Sequence, residues 1–210
     1  MLSRIIRSGK VELYRFLNTT KERALVIPND IEQLSGYTFS NKDGRDIDLV
    51  YIPDNIVEIP DHCFERSKVR HVRMSPNLKR IGECAFKNCV YLEDIFIPEG
   101  CMVGTKTYLG TVCGGDTVFE GCIRKRNKYH PWIDYGLNGK HAIVMYEGAG
   151  YLQITTNKKD WEIVEKGTGL WETDVEDGKE IWVRAVDDNT APTSRCPGPY
   201  MVKTRTICIK

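Results

Sequence analysis

The sequence predicts a mainly β chain: a short solenoid of stacked repeats, followed by a small sandwich of antiparallel strands. Two observations predict it. Laid over itself, the middle of the chain repeats at about 22 residues. Past residue 128 that period is lost, and short apolar runs separated by Gly-containing turns take its place.

The repeat is visible in two ladders of equivalent positions. Phe39, Phe64 and Phe86 are spaced by 25 and 22 residues, and Ile52, Met74 and Ile97 by 22 and 23. Ile47, Val50 and Ile52 align with Val69, Val72 and Met74, then with Leu92, Ile95 and Ile97. Ile56 and Ile59 align with Leu78 and Ile81. A unit of this size cannot bury its own apolar face, so stability has to come from stacking on neighbours. Phe119-Glu-Gly-Cys122 matches Phe86-Lys-Asn-Cys89 and marks a fourth copy, with about eleven extra residues ahead of it.

Residues Ile81 to Pro98, with Ala85, Phe86, Cys89, Leu92, Ile95 and Ile97 at fixed places, resemble the BspA-like subclass of leucine-rich repeats. The copy at Ile59 lacks the cysteine, and the first copy carries a longer insert between Phe39 and Ile47. The resemblance covers residues 31–122. It implies a leucine-rich-repeat solenoid with a strand in each repeat, and adhesion or protein contact as its use. It implies no chemistry.

Aligning the copies leaves three outward columns: Asp48, Arg70 and Glu93; Leu49, His71 and Asp94; Tyr51, Arg73 and Phe96. In register, Arg70 falls between carboxylates and Arg73 between aromatic rings, contacts of up to about 1 kcal/mol each. Such columns either stabilise the solenoid or present a binding face. The candidate binding residues are Tyr51, Arg70, Arg73, Glu93 and Phe96.

Residues 1–30 carry six basic and three acidic side chains and a high apolar content. They read as a cap over the first repeat or an anchor to a larger assembly, with Leu13, Tyr14, Phe16 and Leu17 as attachment residues. Residues 123–128, Ile-Arg-Lys-Arg-Asn-Lys, read as a linker. In residues 129–210, strands are expected at Ala142–Tyr146, Tyr151–Thr155, Trp161–Val164, Ile181–Val186 and Met201–Ile209, with a hairpin at Asp177-Gly178. Val175 to Asp187 is similar to a late strand of fibronectin type III domains. That likeness implies an Ig-like sandwich with Trp161, Trp171 and Trp182 as core aromatics.

The 30 basic and 29 acidic residues exclude the basic excess of a nucleic-acid-coating protein. No run of 18 apolar residues occurs, and Arg4, Arg7 and Lys10 interrupt the N-terminus, so neither a membrane span nor a secretory signal peptide is expected. The eight cysteines lack zinc spacing and are expected to be reduced, with Cys63, Cys84 and Cys89 buried between repeats.

Cys113, His130 and Asp134 can be drawn as a triad, although no motif places them together. Glu172, Asp174, Glu176 and Asp177 lack EF-hand spacing. The chain is therefore expected to be no enzyme, to need no cofactor or metal, and to bind other proteins, with a homo-oligomer as one form. A phage virion component, a head or tail fibre or decoration protein, is the first expectation. A cell-surface adhesin and an enzyme using Cys113 are the alternatives.

Overall fold

The computed structural model describes residues 1–18, 20–40, 46–93, 95–104, 106–108, 111–113, 117–122, 132–147, 150–186 and 206–210. Among them the regular structure is strand, with no α-helix and hence no helix that crosses a membrane.

The repeats stack as expected, but the expected strand of the third aligned copy, at Leu92 to Ile97, is not formed among its described residues. β3 (Ala24–Val26), β5 (Leu49–Tyr51) and β7 (His71–Arg73) form a parallel ladder, with Leu25, Val50 and Val72 in one row. Period-2 alternation sends that row inward, where Val50 and Val72 are fully buried, and sends Leu49, Tyr51, His71 and Arg73 outward. A second parallel ladder lies on another side. There β2 (Lys10–Phe16) pairs with β4 (Gln33–Leu34). β6 (Glu58–Ile59), β8 (Arg80–Ile81) and β9 (Met102–Val103) continue it.

On the third side Phe16, Phe39, Phe64, Phe86 and Phe119 form a column, with successive centroids 5.9, 4.7, 5.0 and 5.6 Å apart. All three sides contribute to one continuous apolar core.

The turns around each phenylalanine explain the fixed small residues of the repeat. Tyr37, His62 and Cys84, each two places before a phenylalanine, have positive φ. So do Arg66, Asn88 and Gly121, two places after one. Gly82 is required for a different reason: a Cβ there would lie 2.4 Å from the backbone nitrogen of Asp61 in the preceding repeat. The cysteine after the phenylalanine ties copies together. Cys89 Sγ donates to the Phe64 carbonyl at 2.9 Å, and Cys122 Sγ to the Phe86 carbonyl at 3.1 Å.

The first 30 residues are part of the solenoid. β1 (Leu2–Arg7) folds onto β2 through Ser8-Gly9, both with positive φ, the backbone of a tight hairpin turn. Leu13 and Phe16 are buried rungs of the second ladder and of the phenylalanine column. Ala24-Leu-Val-Ile-Pro28 repeats Leu49-Val-Tyr-Ile-Pro53 and supplies β3. The ladders thus start before residue 31.

After the repeats come β10 (Lys106–Tyr108) and β11 (Thr111–Cys113), an antiparallel pair. The C-terminal half holds two antiparallel sheets. β12 (Trp132–Asn138), β13 (His141–Glu147) and β16 (Leu170–Asp174) form one, in the order β12-β13-β16. β14 (Tyr151–Thr155), β15 (Glu162–Lys166), β17 (Ile181–Val186) and β18 (Thr206–Ile209) form the other, in the order β15-β14-β17-β18. Ile133, Val144, Tyr146, Leu152, Val183 and Ile209 share the core between them.

Three expectations for this half need correcting. β12 and β16 are additional to the expected strands. Asp177-Gly178 is a turn, closed by Lys179 N–H on the Glu176 carbonyl, but it links strands of different sheets and makes no hairpin. The tryptophans 161, 171 and 182 are only half-buried. Arg184 lies over the Trp161 ring and Lys158 over the Trp182 ring, each at 3.9 Å, while Trp132 and Tyr146 are the buried large aromatics.

Candidate binding faces

The outward columns of the first ladder are largely covered. The β12-β13-β16 sheet lies on them. Ala24, Leu49, Trp132, Ile143 and Met145 form a third apolar cluster, between the halves, with Val26, Tyr51 and Leu170 at its edge. Gly136 sits where a Cβ would come within 2.8 Å of the Ala24 side chain, so the two backbones meet closely there. β13 is thus buried on both faces, which explains why Ala142-Ile-Val-Met-Tyr146 does not alternate.

Most of the predicted binding residues have a place in this contact. Arg70 bridges Glu93 at 3.3 Å and Asp134 of β12 at 3.1 Å. His71, wholly buried, stacks on Trp132 with centroids 4.6 Å apart, and its Nε2 lies 3.4 Å from Asp134 and 3.9 Å from Glu93. Asp48 pairs with Arg23, and burial still raises its pKa against the pull of Arg23 and Arg70. Arg73 packs 4.7 Å over the Tyr51 ring and donates to Asp54 at 2.6 Å. The Tyr51 hydroxyl donates to the Thr168 carbonyl at 3.3 Å, and burial raises its pKa. Phe96 is half-buried. Asp94 lies outside the described residues.

Two side chains close the edges of the ladder. The outer edge of β3 includes the N–H and carbonyl of Ala24. Asn138, at the end of β12, accepts from Arg23 N–H at 2.9 Å and Ala24 N–H at 3.3 Å, and donates to the Ala24 carbonyl at 2.9 Å. At the other edge, Ile27 N–H donates to the Tyr51 carbonyl and Ile52 N–H to the Arg73 carbonyl. The next counterpart, Met74 N–H, has the carboxylate of Glu147, at the end of β13, beside it. Trp132 Nε1 donates to Glu147, at 3.2 Å. Desolvation at the contact outweighs the Trp132 donor and nearby Arg73, and pushes the pKa of half-buried Glu147 up to about 8. Edge groups left without partners would cost about 1–3 kcal/mol each. Sequence reasoning missed Asn138, Trp132, Asp134 and Glu147 as contact residues. The non-alternating run of β13 was the available signal.

Of the attachment residues, Leu13 and Phe16 are spent on the core, Leu17 is half-buried and Tyr14 is exposed. The solenoid's open surfaces lie elsewhere. The second ladder turns Glu58, Arg80 and Met102 outward; Arg80 is paired with Glu58 and Asp61, and Met102 is exposed. Tyr37 and His62 stack at 4.8 Å on the surface beside the phenylalanine column.

The catalytic alternative gains no geometry. The side chain of Cys113 and the whole of His130 lie outside what is described, and Asp134 is engaged by Arg70 and His71. Glu172 and Asp174 hold His141, Asp177 pairs with Lys140, and Glu176 with Lys179. Among the described residues no cluster of three or more His, Cys, Asp or Glu is arranged to hold a metal. Cys63 and Cys89 are buried thiols outside any disulfide, whereas Cys84, at a strained turn position, is only half-buried.

With the stacked ladders and their fixed residues in view, comparison with known proteins is specific. Residues 9–111 match a BspA type leucine-rich repeat region in six copies. The match takes in β2 and β3, as the ladders do, and ends before the sandwich. The repeat chain is similar to the crystal structure of a T. pallidum leucine-rich repeat protein at 22% identity and a TM-score of 0.42. The likeness covers 49% of this chain and 50% of that one, so it spans about half the length of the treponemal protein. It is also similar to a leucine-rich repeat protein from Bacteroides capillosus at 18% identity and a TM-score of 0.40. There it covers 59% of this chain and 92% of that one. No curated protein matches.

Proposed function

We propose that the protein is a non-catalytic protein-contact module, in which the leucine-rich repeats and the sandwich act as one two-part unit within a larger assembly. The observation that carries this reading is the use of the repeat columns: charged and aromatic side chains that a solenoid offers to partners are here engaged by the chain's own second half. The leucine-rich repeat match supports a contact role, and the repeat's fixed positions are packing positions.

Partners are then met by the surfaces left open, the second ladder around Met102 and the Tyr37–His62 pair. The assembly we propose is a virion, a reading that rests on two contact modules in tandem; a cell surface is the alternative. Quantitative mass spectrometry of purified particles tests the placement. Incorporation of Met102→Asp and of the double variant Tyr37→Ala, His62→Ala tests the surfaces. Undiminished incorporation of both variants would refute the assignment of these faces, and absence from particles would refute the virion.

A further inference from the structure

The sheet β15-β14-β17-β18 packs one face on the C-terminal core, through Leu152, Val183 and Ile209. Period-2 alternation sends Tyr151, Gln153, Trp182 and Arg184 to the opposite face. Register adds Ile163 and Lys166 of β15 there, opposite Gln153 and Tyr151, while Glu162 and Glu165 stand opposite Ile154 and Leu152 on the core side. The strand positions of the outer face thus carry two cations and no carboxylate. Lys158 adds a third charge, 3.9 Å from the centre of the Trp182 ring. At the rim, Glu180 is held by Lys210 and Asp160 by Asn157.

Arg184 stands on an interior strand of this face. Its guanidinium lies 3.9 Å over the Trp161 ring, and its Nε donates to Gln153 Oε1 at 2.9 Å. Both partners are neutral, and among the described residues no carboxylate pairs with it. Ring and amide hold the side chain in place and leave its two terminal nitrogens, the fork that grips an oxyanion, for a ligand.

We propose that this face is a binding site for an acidic saccharide, with Arg184 taking the carboxylate of a uronate ring. The charge of the face calls for an anion, and its build selects a sugar among anions. β14 and β17 are paired on both sides, so a peptide cannot add beside Arg184 as a further strand. Trp161 and Trp182 each stack with a cation instead of offering a bare ring to a nucleobase. Around the guanidinium stand the Gln153 amide, whose oxygen is engaged and whose N–H groups are donors, and the hydroxyls of Tyr151 and Thr206. Ile163, 48% exposed, adds hydrocarbon beside them. Hydroxyls, C–H faces and one carboxylate are the surface of a uronate ring. The site is separate from the second ladder and the Tyr37–His62 pair, and stands or falls apart from them.

Titration of the full chain with trigalacturonic acid, followed by NMR at the tryptophan indoles, tests the site, with neutral trigalactose and hexaglutamate in parallel. Trigalacturonic acid should shift the Trp161 and Trp182 signals saturably and leave that of Trp132, buried at the contact with the repeats, in place. Arg184→Met should weaken binding by about tenfold or more, and trigalactose should bind more weakly by at least as much. No saturable shift at Trp161 with trigalacturonic acid would overturn the proposal, as would equal affinity for trigalactose. Hexaglutamate bound at Trp161 as tightly would make the site one for acidic peptides and refute the sugar. If Arg184→Met does not fold, the wild-type comparison of acidic with neutral trisaccharide decides.

Discussion

Removing Phe64 tests whether the phenylalanine column carries the solenoid's cooperativity. Phe64 is fully buried and stacked on both sides, 4.7 Å from Phe39 and 5.0 Å from Phe86. Phe64→Ala loses the transfer free energy of a buried aromatic, about 3–5 kcal/mol with its cavity. Two stacking contacts fall within that loss, at about 0.5–1.5 kcal/mol each. Phe119, at the end of the described column, stacks on Phe86 at the longer distance of 5.6 Å and is only partly buried. Phe119→Ala should therefore cost about 1–2 kcal/mol, half or less of the central change. Urea denaturation followed by circular dichroism measures both. Because each repeat is stabilised by its neighbours, a central gap should also lower the slope of the transition, as the repeats on either side uncouple. Equal losses at the two positions, or a central loss under about 1.5 kcal/mol with an unchanged slope, would refute a column that acts as one coupled core.

Other outcomes follow from single contacts. Arg70→Ala leaves Asp134 and Glu93 facing each other at the contact, and should cost about 2–4 kcal/mol in chemical denaturation, with the double variant Arg70→Ala, Asp134→Ala recovering part of it. Ile95→Asp places a carboxylate among buried side chains and should abolish the cooperative melt of the solenoid. Thiol labelling without denaturant should modify Cys84 ahead of Cys63 and Cys89, since burial pushes the Cys63 thiol above its ordinary range. His141 is held by Asp174 and Glu172, which raise its pKa. Its NMR titration should lie above that of a free histidine, and Asp174→Asn should bring it down. Any stabilisation from that pairing is present at acid pH and fades as pH rises through the raised value.

The parts of the fold legible in the sequence are those that recur. Val50, Val72 and Ile95 occupy the same place in successive copies, so the alignment of the copies alone gives their inward direction. β3 recurs as well, but Ala24 is small and its copy begins within the basic N-terminal stretch, which hides the start of the ladders. The sandwich strands are visible where they are apolar. β12 is obscured because Asp134, Gly136 and Asn138 alternate through it, residues poor for strands in isolation. Those residues serve the contact with the repeats: Asp134 meets Arg70, Gly136 gives way to Ala24, and Asn138 closes β3. The outward columns are visible, but their occupant is not, because nothing periodic in one half encodes a non-periodic partner in the other.

The double-sided burial of β13 bears on the order in which the chain is made. Ala142-Ile-Val-Met-Tyr146 is a β-prone segment without a charge, the kind that pairs with copies of itself when left uncovered. In the direction of synthesis, all the strands of the first ladder precede it. The repeats can therefore be assembled as a landing surface before this segment leaves the ribosome. The C-terminal half made alone, or placed ahead of the repeats by circular permutation, would present the segment with one face open and would aggregate. On this reasoning the repeat region would cover its neighbour's open face as that face forms.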